Sequence, residues 1–250
     1  MAKQAGHMPL TGSIGNITFS KSPFGYLAKQ KSGPTRNAVL KGEQFERTRE
    51  NAADFKTTVQ AATLVRHSIR PISKTATNVW LNGRMNRLLL QAVRSDATHC
   101  RGKKAMLPGA LTILKGFEIN HENTLAKKMG VSCKIKINAP KSIMQVTAPS
   151  FIPKSVLTPP DGATHFKIVS TGASLDFKKN TFVSDLQPSP LLAINRKKTL
   201  PLVLQHPITA KSGQALLLAV GIVFYKMIDG LEKPLKGGAV KIVEVSEFVG

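Results

Sequence analysis

Nine cations gather in one stretch of the chain: Arg66, Arg70 and Lys74, then Arg84, Arg87 and Arg94, then Arg101, Lys103 and Lys104. Arg84, Arg87 and Arg94 recur at steps of three and seven, which puts them on one face of a helix. Guanidinium and ammonium groups collected in this way neutralise phosphates and release the counterions around a nucleic acid. The chemistry to expect is phosphate contact without base reading, because no zinc-finger spacing, basic-zipper heptad or aromatic RNA-binding motif accompanies them. Each cluster taken singly also fits a solvated basic face, and cations at helix C-termini are favoured by the macrodipole with no ligand at all.

The balance of the whole chain weighs against that blander reading. Its 250 residues hold 36 Lys and Arg against 14 Asp and Glu, a formal charge of +22. A field of this size attracts polyanions whether or not a groove exists. Residues 1–106 contribute 18 basic and 5 acidic residues (+13), and residues 107–250 contribute 18 and 9 (+9). A hydrophobic share of 42% excludes a wholly disordered chain, and two cysteines exclude a disulfide-stapled scaffold. Cys100 and Cys133 are expected to be reduced.

Catalytic patterns do not emerge. The six histidines, at 7, 67, 99, 121, 165 and 206, form no metal-binding spacing. His99 and Cys100 are neighbours, but adjacent side chains tend to point apart. Asp161 lies four residues before His165, but it sits within Pro159-Pro160-Asp161-Gly162, which reads as a turn. Gly102-Lys103-Lys104 lacks the other glycine and the hydroxyl of a phosphate-binding loop, and no Gly-x-Ser-x-Gly elbow occurs. The expectation is a non-enzymatic protein with no catalytic residue, metal site, cofactor or small-molecule substrate.

Elements must position the cations. The first 38 residues are polar, basic and rich in Gly, Ser and Pro. Within them Ile14, Ile17 and Phe19, the turn Ser22-Pro23-Phe24-Gly25, and then Tyr26 read as a β-hairpin. A lone hairpin is marginal in water, so Ile14, Ile17, Phe19, Phe24 and Tyr26 are candidates for an assembly arm. Beside Lys21 and Lys29 the same aromatics could stack on single strands, though hairpin packing accounts for them equally. From Gly42, the apolar residues Phe45, Ala52, Phe55, Val59, Ala62, Val65 and Ile69 mark an amphipathic helix that Pro71 stops. A second helix is expected over 77–97, with Gly83 weakening it. The two would form a helical hairpin.

Beyond 107 the pattern turns to strands, at 116–120, 131–138, 143–148, 164–170, 174–183, 191–195, 200–206, 214–227 and 239–249. A short helix falls at 123–129, and a hairpin turn at Asp229-Gly230. The stretch 215–225 is too short, and too interrupted by Gly221, to cross a membrane. It reads as a buried strand. The fold class expected is α+β: an N-terminal hairpin arm (1–38), a basic helical hairpin (39–106) and an antiparallel β-sandwich (107–250), immunoglobulin-like or jelly-roll.

The residues Gly12-Ser13-Ile14-Gly15-Asn16-Ile17-Thr18-Phe19, Gly25-Tyr26-Leu27-Ala28-Lys29 and Arg47-Thr48-Arg49-Glu50-Asn51, with Phe55 following, resemble a family of small basic proteins from Bacteroidetes-type genomes. The likeness covers residues 10–70. Ser20-Lys21-Ser22-Pro23 departs from it, because the family pattern has an aromatic residue and no proline there. The resemblance implies a hairpin followed by a helix and carries no activity, cofactor or site residue.

These readings converge on a structural or assembly protein, a homo-oligomer such as the subunit of a virion-like shell or filament. Its arm and basic helices would contact neighbouring subunits or nucleic acid. The rivals are a monomeric, sequence-nonspecific nucleic-acid-binding protein and a β-sandwich binding module. The first residues lack the apolar core of a secretory signal, so a cytoplasmic or particle-borne location is expected.

Overall fold

A computed structural model of the chain describes residues 2–6, 8–31, 33–76, 78–138 and 143–248. Thr77, Val249 and His7 lie outside the described residues. Two compact units form, residues 1–49 and 50–250. The division thus falls at neither of the expected boundaries, 38 and 106. The second disappears because the helices before it and the strands after it share one core.

The first unit is a four-stranded antiparallel sheet in the order β1-β4-β3-β2, with β1 at Ala2–Lys3, β2 at Gly12–Ile14, β3 at Ile17–Ser22 and β4 at Gly25–Gln30. Where one hairpin was expected there are two. Gly15, at φ +53°, turns the chain so that Ile14 lies opposite Ile17. In the second turn Ser22 lies opposite Gly25, and the Ser22 hydroxyl donates to the Gly25 carbonyl at 2.9 Å. The helix α1 (Arg36–Lys41) follows, its first turn capped by Thr35, whose Oγ1 accepts from the Ala38 N–H at 3.2 Å. Arg49 closes its other end, donating from Nη1 to the carbonyls of Val39 at 2.9 Å and Gly42 at 2.7 Å. None of the described residues of this unit is buried.

The second unit is organised by ten consecutive buried residues in β11 (Gln214–Ile228). A strand that is apolar on both faces must be covered on both. Ala215, Leu217, Ala219 and Val223 join a core with Val65, Ile69, Met85, Leu89 and Val93 from the helices. Leu216, Leu218, Val220, Ile222 and Phe224 join another with Met144, Val146 and Leu204. The chain is therefore α+β with a β-sandwich, as expected, but the helices pack on the outer face of the larger sheet and make a third layer.

The larger sheet runs β12-β11-β7-β8, with β7 at His165–Asp176, β8 at Thr181–Pro188 and β12 at Leu231–Pro234. On its borders β9 (Leu192–Ala193) pairs with β7 and β13 (Ala239–Phe248) with β11. The smaller sheet is β10-β6-β5, from β10 (Leu202–Pro207), β6 (Ile143–Ala148) and β5 (Lys134–Asn138). The expected strands at 164–170 and 174–183 are corrected to one long β7 followed by β8. Ser170 to Ser174 looks like a break, yet β11 pairs with it on one side and β8 on the other. Asp229 and Gly230 both take positive φ, +52° and +78°, as a two-residue hairpin turn requires. Residues 116–119 line the far edge of β13, with Gly116 N–H donating to Ile242 O at 2.8 Å and Ile119 N–H to Val240 O at 2.9 Å.

The helices follow the expected stripe only in part. In α2 (Glu46–Ser68) Ala62 and Val65 are buried, but Ala52 and Phe55 are exposed, and Asp54 and Thr58 are buried instead. The polar inner face is used: Asp54 Oδ1 accepts from the Gly102 N–H at 3.0 Å. Pro71 opens α3 (Arg70–Ser73) rather than simply ending a helix. The second helix, α4 (Leu81–Arg94), is shorter than 77–97 and leaves Val79 exposed. The short helices α5 (Leu125–Lys128) and α6 (Pro153–Val156) lie on connections.

Gly221 sits where a side chain has no room. A Cβ there would stand 2.6 Å from Val240 Cγ2 and 2.7 Å from the Ala239 carbonyl. Gly221→Ala should therefore destabilise the chain by about 1–3 kcal/mol through overpacking, read as a lower urea midpoint at unchanged slope.

Candidate nucleic-acid interface and a buried polar triad

Of the nine expected phosphate-binding residues, several serve the fold. Arg84 Nη2 donates to the Glu118 carbonyl at 2.7 Å and Nη1 to the Ile119 carbonyl at 3.4 Å, and its guanidinium lies 4.7 Å from the Phe117 ring centroid. It fastens α4 to the 116–119 segment. Arg66 donates to Ala62 O at 3.2 Å and Thr63 Oγ1 at 2.8 Å, and also to Asn82 Oδ1, tying α2 to α4. Arg101 pairs with Glu50 at 3.6 Å. Arg70, Lys74, Arg87, Arg94 and Lys103 are exposed.

Lys104 belongs to a knot around Asp96, which is fully buried. The Asp96 carboxylate accepts from Thr98 N–H at 2.9 Å, Thr98 Oγ1 at 2.6 Å and Ala105 N–H at 2.9 Å, and it contacts His99 Nδ1 at 2.8 Å. The Ala105 N–H, with the Thr98 hydroxyl next, holds this carboxyl far below the usual carboxylate range against the opposing effect of burial. Lys104 Nζ donates to the carbonyls of Arg94 at 3.0 Å and Asp96 at 2.6 Å, so it caps α4. Its ammonium is spent on the backbone.

The expected arm residues stay near water. Ile14 is 66% exposed, Phe24 70% and Ile17 45%. Phe19 and Tyr26 are half-buried, with Lys21 Nζ 5.7 Å from the Tyr26 ring centroid.

Sequence reasoning missed one constellation. Ser170 Oγ lies 2.7 Å from His206 Nε2, and His206 Nδ1 lies 2.8 Å from Asp185 Oδ2. The donors run serine to imidazole to carboxylate, the order of a nucleophilic triad. Here Ser170 and His206 have no exposed surface. Ser170 pairs with Val220 on one side and Gln187 on the other, in the middle of the larger sheet. A substrate carbonyl has no path to Oγ, so the line acts as a clasp, joining β10 of the small sheet to β7 and β8 of the large one. Gly172 makes room for it, since a Cβ there would stand 2.9 Å from His206 Cβ. One sequence signal pointed this way: His206 shares the inward parity of Leu202 and Leu204 in an alternating strand.

One further carboxylate and the two thiols stand apart from these clusters. Burial pushes the Glu118 carboxyl up, against the Leu125 N–H at 3.0 Å and Lys241 at 3.7 Å. Both cysteines are free; Cys100 is exposed, and burial pushes the Cys133 thiol up. Among the described residues no group of three or more His, Cys, Asp or Glu could hold a metal ion. Among the described residues no helix is long and apolar enough to cross a membrane.

No family model matches the chain, and no curated protein or solved structure matches it.

The clasp sets a pH dependence. Burial pushes the His206 imidazole down, and the Asp185 carboxylate only partly offsets this. A depressed histidine favours the neutral folded form, so its contribution is complete above the ordinary value of 6.5 and declines as pH falls below it. His206→Leu should flatten that decline in urea titrations. Ser170→Ala, which leaves Nε2 without its donor, should cost about 1–3 kcal/mol.

Proposed function

We propose that the protein is a non-enzymatic assembly subunit, of the kind that builds a shell or filament, and that its N-terminal unit docks on a second copy of the chain. The observation that carries this reading is the absence of any buried residue among the described positions 2–49. A sheet that keeps Leu10, Ile14, Ile17 and Phe24 in water gains little from burial, at roughly 25 cal/mol per Å² of apolar surface removed. Such a unit is stabilised when a neighbour covers it.

The second copy is favoured over an unrelated partner because the chain offers both halves of the contact. β8 borders the larger sheet, and Phe182, Val183 and Leu186 on it are exposed. Open strand edges with apolar side chains pair with other strands unless something blocks them. An arm of one copy on β8 of the next is a heterologous contact, which closes into rings or propagates into filaments. The +22 charge opposes such assembly, so a polyanion or added salt should promote it. The buried position of Ser170 supports the non-enzymatic reading. A second reading, a monomer that coats nucleic acid through phosphate contacts, is favoured by the exposed Arg70, Lys74, Arg87, Arg94 and Lys103.

Light scattering of the full chain tests the leading reading. Large particles should form as salt rises or a single-stranded oligonucleotide is added, and Ile14→Asp with Ile17→Asp, or Val183→Asp alone, should abolish them. A strict monomer under all these conditions overturns the proposal. Oligonucleotide binding by that monomer, weakening steeply with salt, would establish the second reading instead.

A further inference from the structure

We propose that β2 of one copy adds to the open edge of β8 in the next through main-chain hydrogen bonds. The larger sheet of one molecule then continues into the N-terminal sheet of its neighbour. This rests on the reading that the N-terminal unit docks on a second copy, and it names the strands and the backbone groups that meet.

Among the described residues β8 pairs on one side only, with β7. The Ser189 N–H donates to the Ile168 carbonyl at 2.8 Å, which sets the phase of that ladder. Along an antiparallel pair, residues alternate between turning both backbone groups to the partner strand and turning both away. Val183, Asp185 and Gln187 therefore serve β7, while Phe182, Ser184 and Leu186 turn their N–H and C=O groups to the open side. All three are exposed. The arm yields to the same reasoning. The Lys31 N–H donates to the Asn16 carbonyl at 2.6 Å, so Asn16 and Thr18 serve β4 and Ile17 and Phe19 serve β2. Their partners Ile14 and Gly12 turn inward, which leaves Ser13 with its N–H and C=O directed away from the sheet.

Charge separates these two edges from others. β5 carries exposed Lys134 and Lys136, β12 carries Glu232, Lys233 and Pro234, and β1 carries Lys3. The far edge of β13 is covered by residues 116–119. Charged side chains and proline on an edge obstruct the addition of a further strand. β2 has no charged residue, and the only one in β8, Asp185, is held by His206 Nδ1 at 2.8 Å. Apolar neighbours agree with the backbone: Ile14 adjoins Ser13, and Phe182 and Leu186 stand two residues to either side of Ser184, all exposed. Pairing the strands takes these side chains out of water together.

Proline substitution tests the main-chain contact, because proline is tolerated in an edge strand where the lost N–H faced solvent. Ser184→Pro should abolish the particles formed by the full chain with salt or oligonucleotide, whereas Ser184→Ala, which keeps the N–H, should not. Both should retain the circular dichroism spectrum of the parent. Ser13→Pro applies the same block from the arm, and decides the matter if Ser184→Pro fails to fold. Hydrogen exchange on the unsubstituted chain provides a further readout. Amides in 12–14 and 181–188 should exchange at least tenfold more slowly in particles than in the Ile14→Asp, Ile17→Asp chain. Particles from a folded proline variant, or no added protection at these amides, would overturn strand addition while leaving assembly through side chains intact. A chain that never assembles removes both.

Discussion

The two-sided burial of β11 is the constraint on which the second unit rests. Ten successive residues without water on either face require two covers, and the chain builds one from α2–α4 and the other from β5, β6 and β10. Much of the polar chemistry of this unit serves to fasten those covers. Arg84 and Arg66 hold the helical layer together, and the Ser170–His206–Asp185 line holds the small sheet to the large one. Each is a polar device placed where apolar packing alone gives no direction: hydrophobic contact is non-directional, whereas a hydrogen bond at 2.7 Å fixes a register.

Scarce carboxylates explain why so much charge remains outside. Asp96 is consumed by the 96–105 loop, Asp185 by the imidazole, and Glu50, Glu118, Glu232 and Glu244 by ion pairs with Arg101, Lys241, Lys167 and Lys115. With 14 acids against 36 bases, internal pairing cannot neutralise the chain. The positive field is therefore a property of composition, and the fold decides only which cations stand free of the backbone.

The strands were legible where a local signal was strong. Asp229-Gly230 named its own turn, and the apolar run at 215–225 named a buried strand. Where pairing partners decide, local reading failed: Ser170 to Ser174 resembles a loop until β8 and β11 flank it. The helical stripe was half legible, because the inward face of α2 begins with Asp54 and Thr58, and the Asp54 carboxylate is met there by a glycine N–H 48 residues away. The cationic cluster was legible as composition but not as role. Spacing cannot tell an arginine that meets solvent from one that meets the Glu118 carbonyl. The triad left a single trace, His206 at an inward position of its strand, because its three members come from three strands.

The two thiols differ in a way that makes the molecule easy to instrument. Cys100 is exposed on the loop that carries Arg101 and Lys103, while the Cys133 sulfur is part-covered and holds its proton more firmly. Thiolate is the reacting species, so an alkylating dye at neutral pH finds Cys100 first. A fluorophore attached there sits beside the basic loop without a single residue having been changed.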